Sequence, residues 1–339
     1  MTTVGIIANP ASGKDIRRLV AYGTVFDNQE KVNIVRRILL GLAAAGVRRV
    51  IYMPDYYGIV PRAVEGLSSK DRPPLDIVPA DVPLTCTQQD SAAAAAAMRE
   101  NGAACIVTLG GDGTNRLVAK GCGDVPLLPV STGTNNVFPA MMEGTIAGLA
   151  AGAVACGLAG GEAALRRAKK LLISKDGAPA DIALVDAVVL DGSFIGSRAI
   201  WEVEPIRQIV LTQCAPHAIG ISAIGGQLVP VGPHEERGLT VEIGGGGDAG
   251  VLAPIAPGVV VPVRVKTFRA IALGEQVPVA HTPCVIALDG EREVEIRADE
   301  TAAIQLTAAG PLVVDAKAAL AAAAANGAFR LPPEAPAQT

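Results

Sequence analysis

The chain has 339 residues and a formal net charge of −4, and half of its residues are hydrophobic although only 3% are aromatic. This length suggests about two domains, and the high apolar content excludes a disordered chain. The acidic balance and the scarcity of aromatic rings argue against nucleic-acid binding and against a polybasic membrane-surface protein. We therefore expect a folded protein with a substantial hydrophobic core.

The N-terminus and the cysteines bear on where the protein works. Residues 1–7 lack the basic and apolar segments of a secretory signal, and the Ala- and Gly-rich run Thr145–Gly161 is too short and too weakly hydrophobic for a membrane span. The six cysteines form no C-x-x-C pair and have no neighbouring His at metal spacing. A reduced, cytoplasmic protein without a membrane span is expected, and we also expect a homo-oligomer.

In the first half of the chain, short apolar runs alternate with longer helical patterns. The predicted strands are Val4–Ala8, Val50–Met53, Leu75–Leu84, Ala104–Leu109 and Leu127–Val130. The predicted helices are Asp27–Ala45, Ile59–Leu67, Thr87–Arg99 and one that starts near Asn115, with a helical linker over Gly144–Lys170. This alternation predicts a doubly wound parallel α/β sheet.

The second half has a different pattern. From Ile182 to Leu306, short Val- and Ile-rich runs are separated by Gly and Pro without a helical period, which predicts an all-β domain of the sandwich or barrel type. A strand at Leu312–Val314 and a helix at Ala316–Ala325 are predicted to return to the first domain. The expected domains are residues 1–178 with 311–335, and residues 179–310.

A glycine-rich loop follows the fourth predicted strand and has the sequence Gly110-Gly111-Asp112-Gly113-Thr114. Ligands of open α/β sheets bind at the carboxyl ends of the strands, and glycines together with a helix N-terminus favour phosphate. Asp112 cannot bind phosphate itself, but it can hold Mg²⁺ or orient and deprotonate a substrate hydroxyl. The alternative is a tight turn in which Asp112 caps the next helix.

Two more loops are expected at the same edge of the sheet. Ser131-Thr132-Gly133-Thr134-Asn135-Asn136 follows the next strand and offers hydroxyls and amides that suit phosphate, ribose or base edges. Asn9-Pro10-Ala11-Ser12-Gly13-Lys14 follows the first strand; it lacks the Walker A spacing but can still cradle a phosphate. An ordinary polar turn and a Ser-capped helix start are the respective alternatives.

Together these loops resemble the superfamily that joins NAD kinases with diacylglycerol and sphingosine-type lipid kinases. Residues 110–114 and 131–136 look like its Gly-Gly-Asp-Gly-Thr and second Gly-Thr/Asn loops, and residues 9–13 look like the lipid-kinase N-P-x-S-G loop. Asp289-Gly290-Glu291, which could otherwise be a hairpin turn, resembles the D-G-E of those enzymes. Phosphofructokinases share a similar G-G-D-G, so that motif alone does not select a substrate.

The second half resembles NAD kinases, with two departures. Ala183–Leu190 is similar to their A-L-N-E-V-V-L strand, but the Asn-Glu pair that holds NAD is Val185-Asp186 here. Ala215–Ile219 replaces their G-S-T-A-Y loop, so its tyrosine is Ile219. Over nearly its whole length the chain resembles the acetoin-catabolism protein X group of ATP-NAD kinase-like proteins, a resemblance that does not establish a substrate.

The resemblance implies an ATP- and Mg²⁺-dependent phosphotransferase that acts on a hydroxyl of NAD or a related nucleotide. Asp112 is then the hydroxyl orienter or base, Asp289 and Glu291 are candidate Mg²⁺ ligands, and Asp186 is a candidate substrate contact. The residues expected to hold the nucleotide are Asn9, Ser12, Gly13, Lys14, Gly110, Gly111, Gly113, Thr114, Thr132, Gly133, Thr134, Asn135 and Asn136. A lipid or polyol kinase and a non-catalytic nucleotide sensor remain open alternatives.

Overall fold

The computed structural model describes residues 1–13, 26–68, 70, 72–133, 135–192, 203–247 and 249–331. Lys14, Thr134 and the Pro-rich end beyond residue 331 lie outside these ranges, so what the sequence predicts for them stays a prediction. Within the described residues the chain forms one mainly parallel sheet and two antiparallel sheets. This confirms the expected α/β domain with a β-rich second part.

The first sheet is formed by parallel strands with one antiparallel edge strand. Its strands are β1 (Thr3–Ala8), β2 (Arg49–Tyr52), β3 (Asp76–Pro79), β4 (Cys105–Gly110), β5 (Leu127–Ser131), β6 (Leu165–Arg167) and, near the C-terminus, β18 (Leu312–Val314). Their order is β3-β2-β1-β4-β5-β18-β6, with β6 antiparallel to β18. The parallel pairing of β18 with β5 confirms that the C-terminal segment returns to this domain.

Helices cover both faces of this sheet. One face carries α1 (Asn28–Ala44), α2 (Ile59–Glu65), α5 (Gly144–Ala155) and α7 (Ala316–Ala325), and the other carries α3 (Gln89–Glu100) and α4 (Asp112–Gly121). Consecutive residues of a strand point to opposite faces, so Ile6 packs under the first group of helices and Ile7 under the second. Burial on both sides explains why β1 is an unbroken apolar run.

The remaining strands form two antiparallel sheets. They are β7 (Lys170–Lys175), β8 (Ala178–Ala183), β9 (Asp186–Asp191), β10 (Ile206–Leu211), β11 (Arg237–Ile243), β12 (Ala249–Ala256), β13 (Val259–Ala272), β14 (Gln276–Pro278), β15 (Cys284–Leu288), β16 (Glu291–Ile296) and β17 (Ala302–Thr307). The larger sheet has the order β12-β13-β11-β10-β9-β15-β16, and the smaller one has the order β14-β17-β7-β8.

Two sequence predictions differ from the structure. The helical linker predicted over Gly144–Lys170 is helical only as far as Ala155, and β6 and β7 occupy its second half because they pair with the distant β18 and β17. The second half also contains a helix, α6 (Ser222–Leu228). Sheet membership changes between Arg167 and Lys170, so we propose the domain boundary there rather than at residue 178.

The Ala- and Gly-rich segment at 144–155 packs inside the protein against α1. At Gly148 an added Cβ would lie 2.3 Å from the Ile38 carbonyl oxygen, so this glycine lets the two helix backbones touch. Small residues in α5 therefore serve helix packing. Among the residues that the structure describes, no helix is both long enough and apolar enough to cross a membrane.

Candidate active site

The three predicted loops meet at the carboxyl edge of the parallel sheet. Strands β1, β4 and β5 are neighbours, with Ala8 opposite Leu109 and Gly110 opposite Ser131. Two backbone bonds continue this pairing into the loops: the Asn9 N–H donates to the Leu109 carbonyl at 3.1 Å and the Thr132 N–H to the Gly110 carbonyl at 3.3 Å. The loops enclose a cavity of about 120 Å³, lined by Ser12, Gly13, Gly111, Gly113, Thr114, Thr132, Gly133, Asn135, Asn136 and Glu291.

Side chains join the loops to one another. The Asn9 amide nitrogen donates to the Thr114 hydroxyl oxygen at 3.0 Å, and the Ser12 and Thr132 hydroxyls lie 3.1 Å apart. The amide oxygen of Asn9 also accepts from the Ala11 N–H at 2.9 Å, which shapes the first turn. Asn9 therefore positions this loop, while Ser12, Thr114 and Thr132 are part of the cavity wall.

A buried lysine, which the sequence motifs do not include, holds the loop of residues 9–13 through its backbone carbonyls. Lys31 on α1 has no exposed surface, and its ammonium donates to the Asn9 carbonyl at 2.8 Å and to the Ser12 carbonyl at 2.6 Å. The sequence holds a signal for it, because Lys31 lies four residues before the buried Val35 on the inward face of an amphipathic helix. A lysine at such a position needs buried oxygen partners, which the loop carbonyls provide.

Asp112 opens helix α4 and holds the loop that follows β5. Its Oδ1 accepts the Phe138 N–H at 2.8 Å, and both of its carboxylate oxygens lie 3.1 Å from the Val137 amide nitrogen. The carboxylate thus connects the second glycine loop to the third, and it lies between Gly111 and Gly113, which both line the cavity. Its predicted part in orienting a substrate hydroxyl stays a prediction.

The glycines of this motif keep the cavity open. A Cβ at Gly111 would lie 2.8 Å from the Asn136 amide oxygen, closer than real Cβ contacts allow. A Cβ at Gly113 would lie 3.4 Å from Glu291 Oε1, which is an ordinary contact but one inside the cavity. Gly110 is constrained differently, because its Cβ would meet the Thr114 side chain at 2.5 Å.

The Asp289-Gly290-Glu291 turn brings only one of its two acids to the cavity. Glu291 is part of the lining. Asp289 is buried, and its carboxylate accepts backbone N–H groups of Leu184, Val185 and Asp186 at 2.7–3.2 Å. Burial raises the pKa of the Asp289 carboxyl, while Arg116 and the three N–H donors act to lower it. The carboxylate of Asp289 therefore binds backbone N–H groups within the β domain. This geometry does not support the expectation that Asp289 holds a metal.

The cavity contains few oxygen atoms that could bind a cation, but they are of the type that Mg²⁺ prefers. Among the described residues, no group of three or more His, Cys, Asp or Glu side chains is placed to hold a metal ion. Glu291, Thr114 and Asn136 are hard oxygen donors that face one cavity. Mg²⁺ usually takes one or two carboxylates and completes its shell with substrate phosphates and water, so this set fits a magnesium nucleotide and not a cation held by protein alone.

The Val185-Asp186 pair, one of the two departures from NAD kinases, lies outside the cavity lining. Val185 is 1% exposed and packs with Phe138, Leu184 and Val313 in an apolar cluster at the junction of the domains. Asp186 is buried at the start of β9, and its carbonyl accepts the Asp289 N–H at 3.0 Å. The predicted substrate contact through Asp186 therefore stays a prediction without a cavity position to support it.

A buried cation network connects the two domains behind the site. The guanidinium of Arg116, on α4, lies 3.2 Å from Asp181 and 2.9 Å from Glu293 of the β domain, and its Nε lies 4.0 Å from Asp289. Arg116 has no exposed surface. Desolvation lowers its pKa, but the neighbouring carboxylates outweigh this effect and leave the pKa raised. The helix that begins with Asp112 is therefore fixed against the domain that supplies Glu291.

A second, larger groove adjoins the cavity. It has a volume of about 440 Å³ and shares Ser12 and Glu291 with the cavity. Its other lining residues come from the first loop, from residues 53–56 after β2 and from residues 84–91 around the start of α3. Asp55 there accepts the Tyr57, Gly58 and Ile59 N–H groups at 2.9–3.0 Å, and burial raises the pKa of its carboxyl.

Both halves of the chain match families of known proteins. Residues 4–156 match the family model of the ATP-NAD kinase N-terminal domain, and residues 169–309 match that of the acetoin catabolism protein X C-terminal domain. The chain is 41% identical over 313 residues to acetoin catabolism protein X of Cupriavidus necator, covering 89% of this chain and 87% of that protein.

Solved structures similar to the chain include two described as putative diacylglycerol kinases from Bacillus anthracis str. Sterne. One has a TM-score of 0.43 and 13% sequence identity over 92% of this chain and 96% of that chain. The other has a TM-score of 0.39 and 13% identity over 92% of this chain and 98% of that chain.

Proposed function

The chain belongs to the acetoin catabolism protein X family and carries an ATP-NAD kinase-like first domain, and from this premise we propose that it is a Mg-ATP-dependent phosphotransferase. The acceptor we propose is a hydroxyl of NAD or a related nucleotide. One observation supports this most: three loops at one sheet edge enclose a cavity whose described lining is Gly, Ser, Thr, Asn and a single Glu.

Backbone amides are the proposed phosphate ligands. Gly111 and Gly113 flank the first residue of α4, where unpaired N–H groups and the helix dipole favour an anion. Their missing side chains let a phosphate approach the backbone closely. The Ser12, Thr114 and Thr132 hydroxyls can donate further hydrogen bonds from the cavity wall.

Glu291 is the proposed protein ligand of the magnesium ion. When bound with ATP, Mg²⁺ neutralises phosphate charge and so lowers the barrier to phosphoryl transfer. Glu291 comes from the β domain, while the phosphate-binding loops belong to the first domain. The buried Arg116 network fixes the two domains relative to each other and therefore keeps Glu291 opposite Gly113.

Asp112 is the proposed orienting residue for the acceptor hydroxyl. Its carboxylate already accepts N–H groups of Val137 and Phe138, so its position is set before substrate arrives. Fixing reacting groups in place is the main contribution a protein makes to phosphoryl transfer. The groove of about 440 Å³ beside the cavity offers room for the rest of a nucleotide.

Two observations bear on the alternatives. A lipid kinase needs an apolar groove beside Asp112; the described lining of the cavity is polar, and the adjoining groove mixes apolar residues such as Met53 and Leu84 with polar ones such as Asp55. A non-catalytic nucleotide-binding protein is the second candidate, and Val185 favours it, because this residue is buried in an apolar cluster where NAD kinases carry an Asn that holds NAD.

The test is a transfer assay with purified protein. Wild type with Mg-ATP should convert NAD to NADP, and a radiolabelled-ATP screen against nucleotides, lipids and polyols identifies any other acceptor. Asp112→Asn should lower the rate by about 10²–10⁴-fold, the range for loss of a positioned acid–base group. Asp124→Asn is the control, since this exposed aspartate pairs only with Arg167 in the described contacts.

Calorimetry separates the two candidates. Binding of ATP without transfer to any acceptor would replace the kinase proposal with the nucleotide-binding one. If Asp112→Asn also loses ATP binding, the carboxylate acts by holding the Val137–Phe138 loop and not on the acceptor.

A further inference from the structure

A cavity of about 210 Å³ lies in the β domain, between β10, β11, β13, β14 and the residues that follow β14. Strands β9 and β15 separate β10 from β16, which begins with Glu291. At about 4.8 Å per strand, β10 and β16 are roughly 14 Å apart. The cavity is therefore distinct from the proposed nucleotide site, and the inference drawn from it does not depend on that proposal.

One wall of this cavity is formed by polar side chains on the same face of β10 and β11 that also contributes to the hydrophobic core. Gln208 pairs with Glu242 and Val210 with Thr240 across β10 and β11, so all four side chains point to the same side of the sheet. Val210 packs in the apolar core between the two antiparallel sheets. Next to Val210 the side chains of this face are polar, and Pro278, Ala280 and His281 also line the cavity.

Two buried polar atoms at this cavity have no hydrogen-bond partner among the described residues. They are the amide oxygen of Gln208 and the hydroxyl oxygen of Thr240, in side chains of residues that are 6% and 7% exposed. The Gln208 amide nitrogen donates to the Pro278 carbonyl at 3.4 Å, which leaves the amide oxygen as the acceptor. Buried polar atoms destabilise a fold unless they are hydrogen-bonded, so each of these two atoms needs a partner in the cavity, either ordered water or a ligand.

The hydrogen-bonding groups that line the cavity indicate which kind of ligand it can bind. A Gln208 amide oxygen and a Glu242 carboxylate accept hydrogen bonds and cannot donate them, and the Thr240 hydroxyl can do either. The cavity volume of about 210 Å³ lies below the roughly 300–1,000 Å³ of pockets for drug-sized ligands, so it suits a small molecule. We propose that this cavity binds a small organic ammonium compound, with its N–H groups donating to Gln208 and Thr240 and its charge facing Glu242, whose carboxylate also forms an exposed ion pair with Lys266 at 3.3 Å.

Arg269 adds a second element of specificity. It pairs with Thr240 in the strand register and lines the same cavity, and in the described contacts it also forms an ion pair with Glu275. A ligand that carries a carboxylate beside its ammonium group can contact this guanidinium. An amino acid is therefore expected to bind more tightly than a simple amine.

The test uses the full chain and three probes of similar size: glycine, ethanolamine and glycerol. Saturation-transfer NMR and thermal shift should show that glycine binds best, ethanolamine less well and neutral glycerol not at all. Thr240→Val and Gln208→Met should each weaken glycine binding by about tenfold or more, as expected for loss of one hydrogen bond to a charged group.

Stability of the ligand-free variants provides the second readout. Thr240→Val removes an unpaired hydroxyl and should leave the melting temperature unchanged or higher. Thr212→Val is the matched control, because the buried Thr212 hydroxyl donates to the Leu184 carbonyl at 2.7 Å and its loss should lower the melting temperature. The proposal is wrong if Thr240→Val melts as low as Thr212→Val, if glycerol binds as well as glycine, or if none of the probes binds.

Discussion

The guanidinium of Arg116 lies 2.9 Å from the carboxylate of Glu293, although 177 positions separate the two residues in the chain. Arg116 belongs to the helix that Asp112 opens, and Glu293 belongs to the strand that Glu291 opens. This ion pair therefore links the helix that follows the proposed phosphate-binding loop to the strand of the other domain that begins with Glu291.

Removing Arg116 should destabilise the protein strongly. Arg116→Met removes the guanidinium from Glu293 and Asp289, while Asp181 keeps its ion pair with Lys120 at 2.6 Å, and loss of one partner from a buried ion pair costs about 3–5 kcal/mol. Urea unfolding measures the change. Arg99→Met is the control, because the Arg99–Glu100 pair is exposed and should contribute about 0–1 kcal/mol. Equal effects of the two substitutions would mean that the network does not stabilise the domain junction.

Gly113→Ala should separate stability from nucleotide binding. Gly113 lies in the first turn of α4, where Ala is favoured over Gly by up to about 1 kcal/mol, so the melting temperature should stay the same or rise. The new Cβ would enter the cavity 3.4 Å from Glu291 Oε1, and we expect ATP affinity to fall by about tenfold.

Gly245→Ala is the control for this substitution, because a Cβ there meets nothing within 4 Å. Calorimetric titration with Mg-ATP measures the affinities of both variants. Unchanged affinity of Gly113→Ala would place the phosphates away from this loop.

Lys169 should make stability depend on pH in the alkaline range. Burial lowers the pKa of its ammonium from 10.5 to about 8. Between these values the unfolded chain binds more protons than the folded one, so this group's contribution to the free energy of unfolding rises with pH. Wild type should therefore gain stability relative to Lys169→Met as the pH increases from 8 to 10. Melting temperatures of both proteins across this range test it, and a flat or falling difference would contradict the assignment.

Thiol labelling should report on the nucleotide site through Cys86. Burial raises the pKa of Cys105 to about 12 and that of Cys122, Cys214 and Cys284 to about 11, so these thiols should react slowly at pH 8. Cys86 is exposed and lines the groove of about 440 Å³. Mass spectrometry should locate the first label on Cys86, and Mg-ATP or NAD should slow its modification.

Cys86→Ser should abolish the fast phase of that reaction. If saturating nucleotide leaves the labelling rate of Cys86 unchanged, the nucleotide does not occupy the groove next to the phosphate cavity.

Several features of this protein follow from local sequence patterns. The apolar run at Val4–Ala8 and the glycine loop after Leu109 are local signals, since strand, turn and helix N-terminus are encoded by neighbouring residues. Parallel strands end at a common edge, so the convergence of loops 9–13, 110–114 and 131–136 also follows once the alternation of strands and helices is recognised.

Other features depend on partners that are distant in the chain. The second half of 144–170 forms strands because β17 and β18 pair with it, a long-range contact that outweighs helix propensity. The same holds for the D-G-E turn: its two acids look equivalent in sequence, but Asp289 accepts N–H groups from residues about 100 positions away while Glu291 faces the cavity.

By itself, then, the sequence determined the fold class and which loops meet at the edge of the parallel sheet. Only the tertiary structure decided which partners the buried charges have. Lys31, Arg116, the Gln208 amide oxygen and the Thr240 hydroxyl carry no local pattern that names their partners or, for the last two, the lack of one among the described residues. Strand register and helix packing set those partners, and both come from contacts between residues far apart in the chain.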